Sequence, residues 1–127
     1  MKHYMKLKPE PFEKISSGNK TIELRLLDEK RCLVKPGDEI EFTNLENTDE
    51  TITVRVLKIH AFKSFEELYK ALPLDKCGYS QEEIPNATAT DIDKYYSKEE
   101  QAQYGAVGIE FESYFRRGRN CSNDICF

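Results

Sequence analysis

No stretch of this 127-residue chain approaches the ~20 apolar residues that a membrane span requires, and its N-terminus has no apolar core of a secretory leader. Those absences predict a soluble protein that touches no membrane and stays in the cytoplasm. Histidine is scarce, with only His3 and His60. The four cysteines, Cys32, Cys77, Cys121 and Cys126, match no zinc-ligand spacing, and only the last two lie close together. Free thiols, no metal site and no cofactor are therefore expected. Internal repeats and low-complexity segments are also missing, which excludes a repeat array and leaves one ordinary domain with one core.

What is present is charge, unevenly spread. The net charge is −4, too acidic for a protein that coats nucleic acid without selectivity. Residues 1–35 nevertheless hold nine Lys or Arg against five Asp or Glu, whereas 36–127 hold ten against eighteen. A basic third on an acidic body suits a confined anionic ligand better than a long phosphate backbone.

Met1 to Leu7 reads as a strand. Pro9 and Pro11 interrupt it, Pro11 suits the first turn of a short helix burying Phe12 and Ile15, and Gly18 ends that helix. In Lys20 to Leu26 the apolar Ile22, Leu24 and Leu26 alternate with Thr21, Glu23 and Arg25, which predicts a strand with one face on the core and one wholly polar. Asp28 to Arg31 is an exposed turn, and Pro36-Gly37-Asp38 leads into a strand from Glu39 to Thr43. A hairpin loop is expected over Asn44 to Glu50, then a long bent strand from Thr51 to Phe62. Ser64-x-x-Glu67 caps a helix over Phe65 to Leu72. The segment from Pro73 to Thr90 reads as loop and as the most mobile part of the chain. Thr90-x-x-Asp93 and Ser97-x-x-Glu100 mark two further short helices, the second ending at Gly105, and Ala106 to Tyr114 is a final strand. The expected organisation is a domain over 1–114 and a tail over 115–127 that carries Arg116, Arg117 and Arg119. Strands joined by turns before any helix intervenes indicate an α+β barrel in place of a βαβ array.

The densest chemistry is Gly18-x-Lys20-Thr21-x-Glu23-x-Arg25. Thr21, Glu23 and Arg25 share one strand face. Arg25 can grip a phosphate or carboxylate with two parallel bonds, Glu23 can accept from an exocyclic amine, and Lys20 can reach the same cleft. The plainer possibility is a solvated face laced with ion pairs. Tyr95, Tyr96 and Tyr104 are candidates for stacking on a base, with Tyr96 the first choice because it precedes a helix cap; core packing is the more common fate of tyrosine. His3 is either a donor or base at the cleft mouth or a surface residue, and His60 reads as structural.

Together these residues resemble a known family. The Gly-x-Lys-Thr-x-Glu-x-Arg run after Pro11-Phe12 and a short helix, with Pro36-Gly37-Asp38 opening the next strand, resembles the signature of ASCH domains, which belong to the PUA-like barrels. Further on, Ser64-Phe65-Glu66-Glu67-Leu68-Tyr69, Lys76-Cys77-Gly78-Tyr79, Tyr95-Tyr96-Ser97-x-Glu99-Glu100 and Tyr104-Gly105-x-x-Gly108-Ile109 resemble the longer bacterial subgroup. The resemblance implies a small PUA-like β-barrel with inserted short helices, a cleft beside the Lys20 to Arg25 strand, and membership of a superfamily whose better-known members bind RNA. Some small single-domain members are amidohydrolases acting on N4-acetylcytidine with a lysine, a threonine and a glutamate. Lys20 matches the lysine, whereas the position of the threonine falls on Glu23.

The expected function is binding of RNA or of a nucleoside-like small molecule by Lys20, Thr21, Glu23, Arg25 and Tyr96. The alternative is a small hydrolase acting on an acylated nucleoside or on RNA. In that case Glu23 is the general base for water, and Lys20 or Arg25 stabilises the oxyanion. Nothing in the sequence fixes an oligomeric state.

Overall fold

The computed structural model describes the backbone of residues 1–117 and side chains as far as residue 113. Five strands form one curled sheet: β1 (Lys2–Leu7), β2 (Ile22–Leu26), β3 (Glu39–Asn44), β4 (Asn47–Phe62) and β5 (Ala106–Arg117). Their order is β1-β3-β4-β5-β2, with β1 parallel to β3 and the other neighbours antiparallel. Helices α1 (Pro9–Ser16), α2 (Phe65–Ala71) and α3 (Lys98–Tyr104) are inserted between strands. This is the α+β half-barrel of the PUA-like fold.

The curl comes chiefly from β4. Its pairing with β5 shifts register between Thr53 and Val54 and again between Val56 and Lys58, and each extra residue on one strand bends it and adds twist. The strand starts at Asn47, four residues before the expected point, because the hairpin turns in only two residues, Leu45 and Glu46. The polar run that reads as a loop is instead a satisfied strand end: Asn44 accepts from the Glu46 amide and donates to Glu50, both at 3.0 Å. β5 likewise runs on to Arg117, so Phe115, Arg116 and Arg117 are paired with Thr53, Ile52 and Thr51. The rest of the basic tail, including Arg119, Cys121 and Cys126, lies outside the described residues.

Two apolar clusters fill the two sides of the sheet. Inside the curl, Met5, Leu7, Ile40, Phe42, Ile52, Val54, Val107, Ile109 and Phe111 meet Phe12 and Ile15 of α1, which plugs the barrel. Each of these large side chains contributes about 1.5–3 kcal/mol on leaving water. Helix α1 starts at Pro9, earlier than expected, with a proline tolerated in its first turn. On the outer side, Leu24 and Leu26 pack with Phe65 and Leu68 of α2 and with Ile92.

The caps behave as the sequence suggests, with one change of frame. Ser64 accepts from the Glu67 amide at 3.2 Å, and Ser97 with Glu100 forms a reciprocal capping box. The turn of 3-10 helix at Ala89–Lys94 is capped by Thr88 with Asp91, two residues before the expected Thr90 with Asp93. Gly105 closes α3 at φ 75°, where a Cβ would stand 2.7 Å from the Phe62 carbonyl oxygen, so no larger residue fits. No helix among the described residues is long and apolar enough to cross a membrane.

Candidate ligand site at the sheet seam

Strand β2 is an edge strand whose two faces are both covered. Its register sets Glu23 opposite Ile109 and Arg25 opposite Val107. Cross-strand partners share a face, so the polar residues turn toward the inner cluster that holds Val107 and Ile109. The alternation of Ile22, Leu24 and Leu26 is as expected, but it points to the outer cluster. The polar face is therefore not solvated: Glu23 is only 3% exposed.

A buried carboxylate without partners is prohibitively costly, and Glu23 has two. Its Oε1 lies 2.9 Å from the Lys20 ammonium and its Oε2 accepts from Arg25 Nε at 2.7 Å. Burial pushes the Glu23 carboxyl up, but Lys20 and Arg25 together outweigh it and hold the group below the ordinary carboxylate range. Burial likewise pulls the Arg25 guanidinium down, and the Glu23 carboxylate more than restores it. The centre is thus a fixed cation–anion–cation set.

Arg25 has a second task. β1 and β2 are the two free edges of the sheet, and Arg25 Nη2 donates to the Lys6 carbonyl oxygen at 3.0 Å. A side chain bridges the seam that backbone pairing leaves open. The guanidinium fork suits this, because one plane serves both Glu23 and Lys6.

Lys20 is covered by the loop that follows α2. The Lys76 carbonyl oxygen accepts from the amides of Thr21 and Ile22 at 2.9 and 3.0 Å, and Lys14 Nζ donates to the Gly78 carbonyl oxygen at 2.6 Å. Gly78, at φ 107°, lies flat on the lysine stem, where a Cβ would meet Lys20 Cδ at 3.2 Å. Tyr79 Oη donates to Asp91 at 2.8 Å and shares a 2.6 Å hydrogen bond with the Tyr69 hydroxyl. The segment expected to be most mobile is therefore anchored at several points. On its other side a cleft of about 360 Å³ is lined by Lys14, Asn19, Asp75, Gly78, Tyr79 and Gln81. A larger hollow of about 740 Å³ beside Leu27, Phe62 and Lys63 holds Tyr104, a stacking candidate, but none of Lys20, Thr21, Glu23, Arg25 or Tyr96.

Of the expected site residues, the fold brings together Lys20, Glu23 and Arg25. Thr21 is held through its backbone, its oxygen accepting from the Phe111 amide at 3.0 Å. Tyr96 is set differently from its anticipated stacking role: its ring lies nearly parallel to Phe65, 13° between planes and 6.2 Å between centroids. Burial raises its phenol pKa, with Arg25, Arg31 and a hydrogen bond at the Leu26 backbone pulling the other way. His3 is bound to Asp38 at 2.9 Å near the start of β1, away from the Arg25 contact at Lys6. His60 pairs with Glu110 at 2.9 Å, a structural contact.

Sequence reasoning missed Cys77, the Lys6 carbonyl and Gly78. Cys77 is a buried free thiol, pushed up to about 12 by burial, with Lys20 pulling it down. Its presence in the Lys76-Cys77-Gly78-Tyr79 run was the available signal. Cys32 is free and exposed. Among the described residues no group of three His, Cys, Asp or Glu is placed to hold a metal ion.

The ASCH domain model matches residues 5–115, and this chain belongs to the ASCH domain family. Two solved structures share about a third of its sequence. The hypothetical protein PH0355 is 34% identical over 90% of this chain and all of its own, with a TM-score of 0.74. Protein PF0455 from Pyrococcus furiosus is 33% identical over 89% of this chain and 97% of its own, with a TM-score of 0.67. A point mutant of ZmASCH from Zymomonas mobilis is 16% identical, covers 91% of this chain and 73% of its own, and has a TM-score of 0.64, a likeness of fold. No curated protein matches the chain.

Proposed function

We propose that this chain binds RNA or a modified nucleoside at the seam between β1 and β2, with Arg25 and Lys20 as its polar contacts. The observation that carries this reading is a 3%-exposed carboxylate holding two cations in place where a side chain bridges the two edges of the sheet. Glu23 then serves to orient Lys20 and Arg25, not to touch the ligand, since both its oxygens are engaged. Thr21 fixes the start of the strand through its backbone bonds to Lys76 and Phe111. A guest that replaces the Lys6 carbonyl as acceptor gains a charge-assisted bond to a guanidinium already positioned for it. Membership of a family of the PUA-like fold, whose better-known members bind RNA, agrees with that chemistry.

Hydrolysis with Glu23 as general base fits less well. A carboxylate flanked by two cations within 3 Å has lost basicity, and an efficient base has a pKa near the working pH.

The test is a thermal-shift series with nucleosides, N4-acetylated nucleosides and short RNAs. A ligand of the native state stabilises it by about 2.7 kcal/mol at a hundredfold excess over its Kd, so at least one of these should raise the melting temperature with dose. No dose-dependent shift from any of them contradicts the proposal. Release of acetate or cleaved RNA in the same samples would favour the hydrolase.

A further inference from the structure

Beside the seam stands an aromatic group that the buried centre does not use. Tyr95 follows the 3-10 turn at Ala89–Lys94 and is 55% exposed, which leaves its ring open to solvent. Two ammonium groups attend its ring: Lys94 Nζ is 5.2 Å from the centroid and Lys8 Nζ 5.7 Å. The two lysines come from different parts of the chain. Lys94 is Tyr95's own neighbour, whereas Lys8 is the N-cap of α1, two residues beyond the Lys6 carbonyl that receives Arg25. Two extended residues span about 7 Å, so Lys8 links the tyrosine to the strand end that receives Arg25.

The carboxylates of the same turn are committed elsewhere. Asp91 accepts from Tyr79, and Asp93 accepts from Gln101 at 2.9 Å and faces Lys98 at 3.3 Å. Against the ring itself stand two ammonium groups, and an aromatic ring beside cations is the pairing with which proteins hold single-stranded nucleic acid: bases stack on the ring and cations follow the backbone.

We infer that Tyr95, Lys8 and Lys94 form a second subsite that stacks one base of a single-stranded RNA and meets the adjoining phosphates. The inference rests on the RNA reading above and extends it from a single nucleoside to a strand. Magnitudes favour the exchange it requires. An exposed cation–π contact is worth about 0.5–1 kcal/mol, whereas stacking a base on an aromatic side chain is worth about 1–3 kcal/mol. An arriving base displaces an ammonium from the ring face, and the freed ammonium finds a phosphate within reach. The ring and the cations are therefore in place before the ligand arrives, and only lysine rotamers change.

Fluorescence anisotropy with a labelled short oligouridine, beside calorimetry with uridine monophosphate, tests this on the full chain. Tyr95→Ala should weaken oligouridine binding about 5- to 150-fold, Tyr95→Phe should keep it, and neither should alter uridine monophosphate binding. Lys8→Ala and Lys94→Ala should each lower the slope of log affinity against log salt by about 0.7. The exposed position makes it simple to confirm by melting temperature that the variants fold. Oligouridine binding by Tyr95→Ala equal to wild type overturns the subsite. So does a wild-type protein that binds the mononucleotide and gains nothing from a longer strand, or one that binds a poly-glutamate peptide more tightly than oligouridine. Loss of oligouridine binding in Tyr95→Ala but not in Arg25→Lys upholds the subsite and removes the seam centre. Absence of binding to either RNA probe overturns both.

Discussion

Arg25 reaches two residues back along its own strand to Glu23, placing Nε 2.7 Å from a carboxylate oxygen that solvent barely touches. The same guanidinium donates to Lys6 on the opposite edge of the sheet. Glu23 is thus the anchor from which a side chain spans the open barrel.

Removing that anchor strands two cations in a poorly solvated place. Breaking a buried ion pair by deleting one partner typically costs about 3–5 kcal/mol. Glu23→Gln should lose stability of that order in chemical denaturation. A loss below about 1 kcal/mol would mean that the pair behaves as a surface contact and that the seam is open to water.

The same residue sets an acid limit. The folded pKa of Glu23 is lowered from its ordinary 4.5, so the stability it contributes is fully present above 4.5 and lost as the pH falls through the folded value. Asp38, held down to about 2 first by His3 and then by the Lys35 amide and the N-terminus, behaves alike between about 4 and 2. Denaturation midpoints should be level near neutrality and fall in acid. Asp38→Asn should be less stable than wild type at neutral pH, the gap closing as the pH approaches 2. A constant gap across that range would contradict the assignment.

Gly78 is required twice, for its positive φ and for its contact with Lys20. Gly78→Ala forces a strained backbone worth about 1–3 kcal/mol and pushes on the lysine stem. The expected result is lower stability together with weaker ligand binding. Unchanged binding would show that Lys20 acts independently of this loop.

Tyr79→Phe tests what holds that loop. It deprives Asp91 of a donor at 2.8 Å and Tyr69 of its partner, leaving partly buried polar groups short of a bond at about 1–3 kcal/mol. Hydrogen exchange of the Thr21 and Ile22 amides, both bonded to Lys76, should quicken. Exchange as slow as in wild type would place the loop's anchor elsewhere.

Strand β2 was legible from the alternation of Ile22, Leu24 and Leu26, and so was the chemistry of its other face. What alternation cannot reveal is which face a curled sheet turns inward. Here both are covered, and the charged one faces the barrel. Thr88-x-x-Asp91 and Thr90-x-x-Asp93 overlap as capping frames, and a local pattern cannot choose between them; the Tyr79 bond to Asp91 favours the first. Lys6 contributes a backbone carbonyl, which no side-chain pattern announces. Tyr95 and Tyr96 are adjacent and alike in sequence, yet one lies on Phe65 and the other stands in solvent beside two lysines.

The central claim is that the guanidinium geometry of Arg25 prepares the seam for a ligand. Arg25→Lys keeps the charge but loses the fork that serves Glu23 and Lys6 together. Titration of wild type and this variant with the ligand that gives the largest thermal shift tests the claim most directly. At least a tenfold loss of affinity in a variant of native circular dichroism is the predicted result; equal affinity would contradict it.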